Sequence, residues 1–320
     1  MTHPLRAVSL AEAHLARARI TGTALRTPLI RLPADAGDDV HLKLENLQPI
    51  GSFKIRGAAN AMAIAGPESL ENGVYTASAG NMAQGVAWCA RMIGVRCQVV
   101  VPDHAPKAKI DAIKRLGGEV IKVPFEAWWQ TILDHRYPGM EGIFIHPFAD
   151  EAVMAGNGTI ALEIFEDLEE VESILVPYGG GGLACGIAAV AAVVSPHTRV
   201  FAVEVETAAP LTATFAAGEP TPVTYARTFI DGMGSGGVSR EMWPLVKSLL
   251  AGTIVVTVEQ VAEAVRLLAS RCHIVAEGAG AAPVAAALSG VLDLERTVCV
   301  VSGGNIDMDT FATILGGRLP

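Results

Sequence analysis

Residues 173–194 read SILVPYGGGGLACGIAAVAAVV. The run Ser173 to Pro177 is short, apolar and partly β-branched, which suits a strand buried on both faces. Four glycines follow, and Leu183 to Val194 then forms a continuous apolar helix candidate. A strand, a glycine turn and an apolar helix make a βα unit whose helix covers a parallel sheet. The same alternation extends in both directions. Val40 to Glu45, Val74 to Ala77, Cys97 to Pro102, Glu119 to Pro124 and Ile143 to His146 read as strands, as do Val200 to Glu204 and Thr297 to Ser302. Met82 to Ile93, Pro106 to Leu116, Asp150 to Leu168 and Val258 to Cys272 read as helices between them. The fold class is α/β with open parallel sheets. The strands between 74 and 146 group into one compact unit and the rest into a second sheet.

Composition narrows the class of protein. The 320 residues include 51% hydrophobic and 18% charged side chains, which excludes a disordered chain. Lys and Arg total 24 against 33 Asp and Glu, for a formal charge of −9, with no basic run. Neither nucleic acid nor an anionic membrane suits such a surface. At ~1.5 Å per residue, Leu183 to Val194 is too short to span a bilayer. Cys89, Cys97, Cys185, Cys272 and Cys299 are odd in number, lack CxxC spacing and lie in apolar runs. That pattern fits buried thiols in a reducing compartment. Met1 to Leu10 lacks a basic-then-apolar leader, so a cytoplasmic enzyme is expected.

Ligands in open α/β sheets sit at the carboxyl ends of the strands. Four segments at such ends hold residues able to do chemistry. In Gly51-Ser52-Phe53-Lys54-Ile55-Arg56-Gly57-Ala58, Ser52 is read as an N-cap, placing Lys54 in the first helical turn. The positive helix end there disfavours an ammonium and makes the amine a better nucleophile. In Ser78-Ala79-Gly80-Asn81-Met82-Ala83-Gln84-Gly85, small residues leave N–H groups free for a carboxylate or phosphate. Gly179, Gly180, Gly181 and Gly182 let the backbone approach an anion at a helix N-terminus. Ser302-Gly303-Gly304-Asn305 ends the apolar strand Val298 to Val301. Each has an ordinary alternative as a surface lysine or a plain turn. The glycine loop has a second chemical reading, because Gly179, Gly181 and Ala184 satisfy G-x-G-x-x-G/A and Glu204 follows about 20 residues later. That reading is a nicotinamide-dependent oxidoreductase. Histidine and cysteine spacing supplies no metal or Cys-His signature.

Taken in order, these four segments resemble the threonine dehydratase and serine racemase family of fold type II enzymes dependent on pyridoxal 5'-phosphate. The resemblance runs from Thr27-Pro28-Leu29 to Asn305. It includes His146-Pro147-Phe148, Gly158-Thr159-Ile160-Ala161 and Glu277-Gly278-Ala279-Gly280-Ala281. It implies two open parallel-sheet α/β domains with the cofactor between them. Residues 1–72 and 149–320 would form the large cofactor-binding domain and residues 73–148 the small substrate-loop domain. Lys54 would hold the cofactor covalently and remove the substrate's Cα proton. Ser78, Ala79, Gly80, Asn81 and Met82 would form the substrate loop, with Ser78 and Asn81 at the carboxylate and Asn81 also near the 3′-oxygen. Gly179 to Gly182 would cradle the phosphate, and Ser302 would face the pyridine nitrogen. The implied activity is an ammonia-lyase that turns a β-hydroxy-α-amino acid, such as L-threonine or L-serine, into a 2-oxo acid and ammonia. The family also implies a homodimer.

Departures from the family pattern refine these expectations. Racemases place a serine where Ala79 stands, so dehydration is favoured over racemisation. The family's divalent-cation site matches Glu204 and the Ala208 carbonyl, but its third position is Pro210 here, and no metal is expected. The resemblance stops at Pro320, ahead of the regulatory domain of biosynthetic relatives, which implies a catabolic role. Met82 replaces a usual histidine, and Phe125, Trp128 and Trp129 precede His146. A more apolar substrate end would suit a bulkier substrate such as L-threo-phenylserine. The competing reading is that these residues only pack. Arg56 is expected in a structural ion pair, and Glu277 at a helix start near the cofactor.

Overall fold

A computed structural model describes residues 5–33, 39–291 and 295–320. Of the expected N-terminal segment, Met1 to Pro4 lie outside the described residues. Among the described residues, ten strands run in chain order as β1 (Leu29–Arg31), β2 (Val40–Lys43), β3 (Val74–Ala77), β4 (Cys97–Pro102) and β5 (Glu119–Val123). They continue as β6 (Ile143–Phe144), β7 (Ser173–Pro177), β8 (Arg199–Val205), β9 (Gly252–Val256) and β10 (Thr297–Val300). They form a six-stranded sheet, β1-β2-β10-β7-β8-β9, and a four-stranded sheet, β5-β4-β3-β6. The smaller sheet is parallel throughout. In the larger one β1 runs antiparallel to β2, so the expectation of purely parallel sheets is corrected at that edge. The strands β1 and β9 lie outside the sequence-based expectation.

Every residue of β7 is buried, and the pleat divides them between two cores. Ile174 and Val176 join Val298 and Val300 beneath the helix Gly182–Val194. Leu175, Cys299 and Val301 face the opposite way, under the helices Val258–Arg271 and Gly278–Leu288. Burial on both faces is why these strands read as unbroken apolar runs. The smaller sheet repeats the plan. Val99 and Val101 pack under the helix Asn81–Ile93, while Ala77, Val100 and Val123 lie on the side of the helix Phe125–Asp134.

The helices Lys54–Ser69 and Glu151–Asp167 link the two sheets. They touch backbone to backbone, since a Cβ on Gly156 would lie 2.3 Å from the Arg56 carbonyl oxygen. Among the described residues no helix is long and apolar enough to cross a membrane. All five cysteines are free, with Cys272 alone only partly buried.

Candidate active site

The loops at the carboxyl ends of β2, β3, β7 and β10 meet between the sheets. The segment before Lys54 is tied to the end of β10: Ser52 and Gly303 form an isolated antiparallel bridge, and the Phe53 N–H donates to the Ser302 carbonyl at 3.0 Å. The Gly304 N–H donates to the Gly51 carbonyl at 2.9 Å. The N-cap position of the lysine helix is Phe53, and no side chain caps it. Ser52 is therefore not the cap expected from the sequence. Its hydroxyl is buried without a hydrogen-bond partner.

The Lys54 Nζ donates to the Pro147 carbonyl at 2.5 Å. Loss of water around the ammonium pushes its pKa down to about 8. The depression expected from the helix end thus arises from desolvation. Phe148, next in the chain, lies flat on the glycine loop. A Cβ on Gly180 would fall 2.2 Å from the Phe148 ring, and one on Gly182 2.5 Å from the Phe148 carbonyl oxygen. Gly181 is the N-cap of the helix Gly182–Val194 with φ +90°, a conformation that favours glycine. The first N–H groups of that helix have no intrahelical partners and are available to an anion. Gly180→Ala is expected to lower stability by about 1–3 kcal/mol through overpacking. The denaturant midpoint checks this, and Phe148→Ala in the same chain should recover much of the loss.

The helix opened by the Asn81 loop packs beside Lys54, where a Cβ on Gly85 would lie 3.3 Å from the Lys54 carbonyl oxygen. Gly80 precedes the helix Asn81–Ile93 without a side-chain cap, leaving its leading N–H groups open. A Cβ on Gly80 would meet nothing within 4 Å, so the loop borders open space there. The Ser78 hydroxyl accepts from the Gly80 N–H at 3.2 Å, which fixes the turn. The Met82 side chain is buried in the core among residues such as Ile50, Ile55 and Val86. It therefore does not make the substrate end more apolar, and only its backbone N–H can serve the loop. Ala79 is half-buried beside the same core.

Two residues quoted in motifs but given no site role belong to this arrangement. The Asn81 Nδ2 donates to the Glu277 Oε1 at 2.7 Å, and the Asn305 Nδ2 donates to the Asn81 Oδ1 at 2.8 Å. Burial pushes the Glu277 pKa up to about 7, with Asp231 adding to the rise. Arg56 lies away from the cleft, buried between Glu45 and Glu163. Glu204 is also committed elsewhere. Its oxygens accept from the Leu211 N–H at 2.7 Å, the Thr212 N–H at 2.8 Å and the Thr212 hydroxyl at 2.7 Å. It caps the helix Pro210–Ala217 instead of waiting for a ribose, which weighs against the dinucleotide reading.

A desolvated lysine, a glycine cradle with free N–H groups and an orphaned buried serine hydroxyl fit an aldehyde cofactor with a phosphate tail. The family profile described as pyridoxal-phosphate dependent enzyme matches residues 20–303. The chain belongs to that family. The enzyme is 40% identical over 284 residues to an L-threonine ammonia-lyase of Geobacter sulfurreducens, covering 87% of this chain and 70% of the relative. It is 37% identical over 319 residues to a catabolic L-threonine dehydratase of Staphylococcus aureus, covering 96% and 92%. Maize serine racemase superposes with a TM-score of 0.89 at 30% identity, over 98% of both chains. The fold is thus fold type II, and the cofactor is pyridoxal phosphate. When bound, it supplies an electron sink for the pair left by the departing Cα proton. By the family pattern, Lys54 would meet its aldehyde carbon, Gly179 to Gly182 its phosphate and Ser302 its ring nitrogen.

Proposed function

We propose that the enzyme is an ammonia-lyase that removes the β-hydroxyl of L-threonine or L-serine and releases a 2-oxo acid and ammonia. The observation that carries this reading is the desolvated Lys54 amine, taken with the family pattern, which sets Ala79 where racemases have a serine. Lys54 can take the Cα proton at Nζ near neutral pH. The Ala79 methyl has no proton to give back to the other face of Cα, so elimination is left as the productive course. The Ser78 hydroxyl, the Asn81 amide and the leading N–H groups of the helix Asn81–Ile93 would orient the carboxylate. The names of the Geobacter and Staphylococcus relatives support this substrate class. The reading includes residues 73–148 as the substrate-loop domain and 1–72 with 149–320 as the cofactor-binding domain. In its support, the chain enters the four-stranded sheet at Val74 and completes it at Phe144. It also includes a cytoplasmic homodimer, with the assembly to be checked by sedimentation equilibrium.

One observation favours a bulkier substrate. The helix Phe125–Asp134 starts at the carboxyl end of β5, the same end of the sheet at which Ser78 follows β3, with β4 between the two strands. Phe125 is 46% exposed and Trp129 40%. They flank Trp128 with centroids 5.5 and 6.1 Å away, and His104 extends the row at 6.0 Å from Phe125. Such a row could receive an aromatic β-substituent. The deciding assay is 2-oxo acid formation from L-threonine, L-serine and L-threo-phenylserine with cofactor present. Higher kcat/KM for threonine or serine is expected. A preference for phenylserine would establish the bulkier class, and failure of all three would refute the substrate assignment.

A further inference from the structure

The network behind Asn81 has a direction that its end groups dictate. The Ile50 carbonyl at one end can only accept, and it takes one N–H of the Asn305 amide at 2.8 Å. The second N–H of that same Nδ2 goes to the Asn81 Oδ1 at 2.8 Å. Asn81 must therefore present its nitrogen to Glu277, whose Oε1 lies 2.7 Å away. A flipped Asn81 amide would set its oxygen against the carboxylate and its nitrogen against the Asn305 nitrogen. Neither Asn81 nor Asn305 has that choice. One hydrogen on the Asn81 Nδ2 is left over, and a planar amide held at both ends aims it in a fixed direction.

Glu277 is itself held. It is the N-cap residue of the helix Gly278–Leu288, and its N–H donates to the Gly303 carbonyl at 3.0 Å. A Cβ on Gly303 would fall 2.5 Å from the Glu277 Oε1, so Gly303 is the residue that admits the carboxyl group beside the cleft. The geometry points to Glu277 as a positioning residue that, with Asn305, locks the Asn81 amide so that its remaining N–H serves the bound cofactor and substrate. This rests on the reading that Asn81 faces them.

Other charges also face Glu277. Asp231 approaches from the segment after β8 and raises its pKa. Lys109, from the helix Lys107–Arg115, pairs with Asp231 at 2.5 Å and lowers it, as do Asn81 and the Asn305 N–H. The ionised carboxylate is the better acceptor, so the lock is firmest above about pH 7.

Purified enzyme is resolved from its cofactor and retitrated with pyridoxal phosphate, read by visible absorption from pH 6 to 8.5. Wild-type affinity is expected to fall as pH drops through about 7. Glu277→Gln retains an acceptor without the charge, and should bind within about threefold of wild type at pH 8, losing the step near pH 7 and keeping only the rise through about 8 that Lys54 sets. Glu277→Leu removes the acceptor and should lose roughly tenfold or more, the worth of a hydrogen bond to a charged group. Wild-type affinity and pH profile in Glu277→Leu would overturn the inference. If that variant does not fold, Asn305→Ala makes the test from the other end, with weakened binding expected and unchanged binding again overturning it. A band that Lys54→Ala abolishes but these variants leave untouched refutes only the role of Glu277. A wild-type protein with no Lys54-dependent band refutes the site reading and this inference with it.

Discussion

Lys54→Ala is expected to lose the visible absorption of protein-bound cofactor and to turn over L-threonine roughly 10²–10⁴-fold more slowly, the usual scale for removing a positioned base. On the proposed reading the amine both holds the cofactor and takes the Cα proton, so no neighbouring side chain substitutes for both. Lys54→Arg should be equally inactive, because a guanidinium stays charged and cannot accept a proton at working pH. The lowered pKa adds a kinetic signature. Only the neutral amine can attack the cofactor aldehyde, so reconstitution of the cofactor-free enzyme should speed up as pH rises through about 8. Stability should move the opposite way to activity in the variant. Between about 8 and the ordinary lysine value near 10.5, the folded wild-type chain binds fewer protons than the unfolded one. The cost of the desolvated ammonium is therefore full below pH 8 and fades toward 10.5. Cofactor-free Lys54→Ala should melt above cofactor-free wild type at pH 7 and lose that advantage near pH 10.5. An inactive variant with a raised Tm at pH 7 would show that chemistry, and not folding, was removed.

The strands most legible in the sequence are those buried on both faces. The run Ser173–Pro177 could be read because nothing polar had to face water along it. The edge strand Leu29–Arg31 is three residues long and partly exposed, and Gly252–Val256 opens on a glycine, so neither shows such a run. The Ala- and Gly-rich segment after Glu277 forms the helix Gly278–Leu288, so the helix start expected at Glu277 is found. That helix contains Pro283 and draws its stability from burial and not from local propensity. At the site, the βα loops announced themselves through glycine and small polar residues. What each side chain meets did not. Asn81 and Glu277 are 196 residues apart, and only the packing of the two sheets sets them at 2.7 Å. Met82 adjoins Asn81 in the chain but turns into the core, because consecutive helical positions point about 100° apart.

Arg56→Met is expected to destabilise the enzyme by about 3–5 kcal/mol, the scale for stranding a buried charge. With an unfolding entropy of ~2.1 cal/mol/K per residue, this lowers Tm by roughly 4–7 °C. Arg56 is fully buried and divides its guanidinium between two carboxylates. Nε and Nη2 each lie 2.8 Å from a Glu45 oxygen, while Nη1 and Nη2 lie 2.7 and 2.9 Å from those of Glu163. Lys43, also buried, reaches Glu163 at 2.6 Å. Without Arg56, Glu163 keeps Lys43, but Glu45 keeps only neutral hydrogen-bond partners, the Thr27 hydroxyl and the Gln48 amide, with the Lys43 charge acting on it from farther off. In the wild type, burial raises the Glu45 carboxyl, but Arg56, with Thr27 and Lys43 adding to it, more than offsets this and leaves a net depression. In the variant burial prevails and the pKa rises above its unfolded value. The folded state then binds more protons than the unfolded one, so the penalty is largest at alkaline pH and shrinks as pH falls through the raised value. Melting at pH 8 and pH 5 should show the deficit narrowing on acidification. Glu45→Gln combined with Arg56→Met should restore part of the stability at pH 8, because it removes the stranded charge. Additive losses in the double variant would instead mean that packing of the long Arg56 side chain, and not its charge, holds the helix bearing Lys54 against the larger sheet.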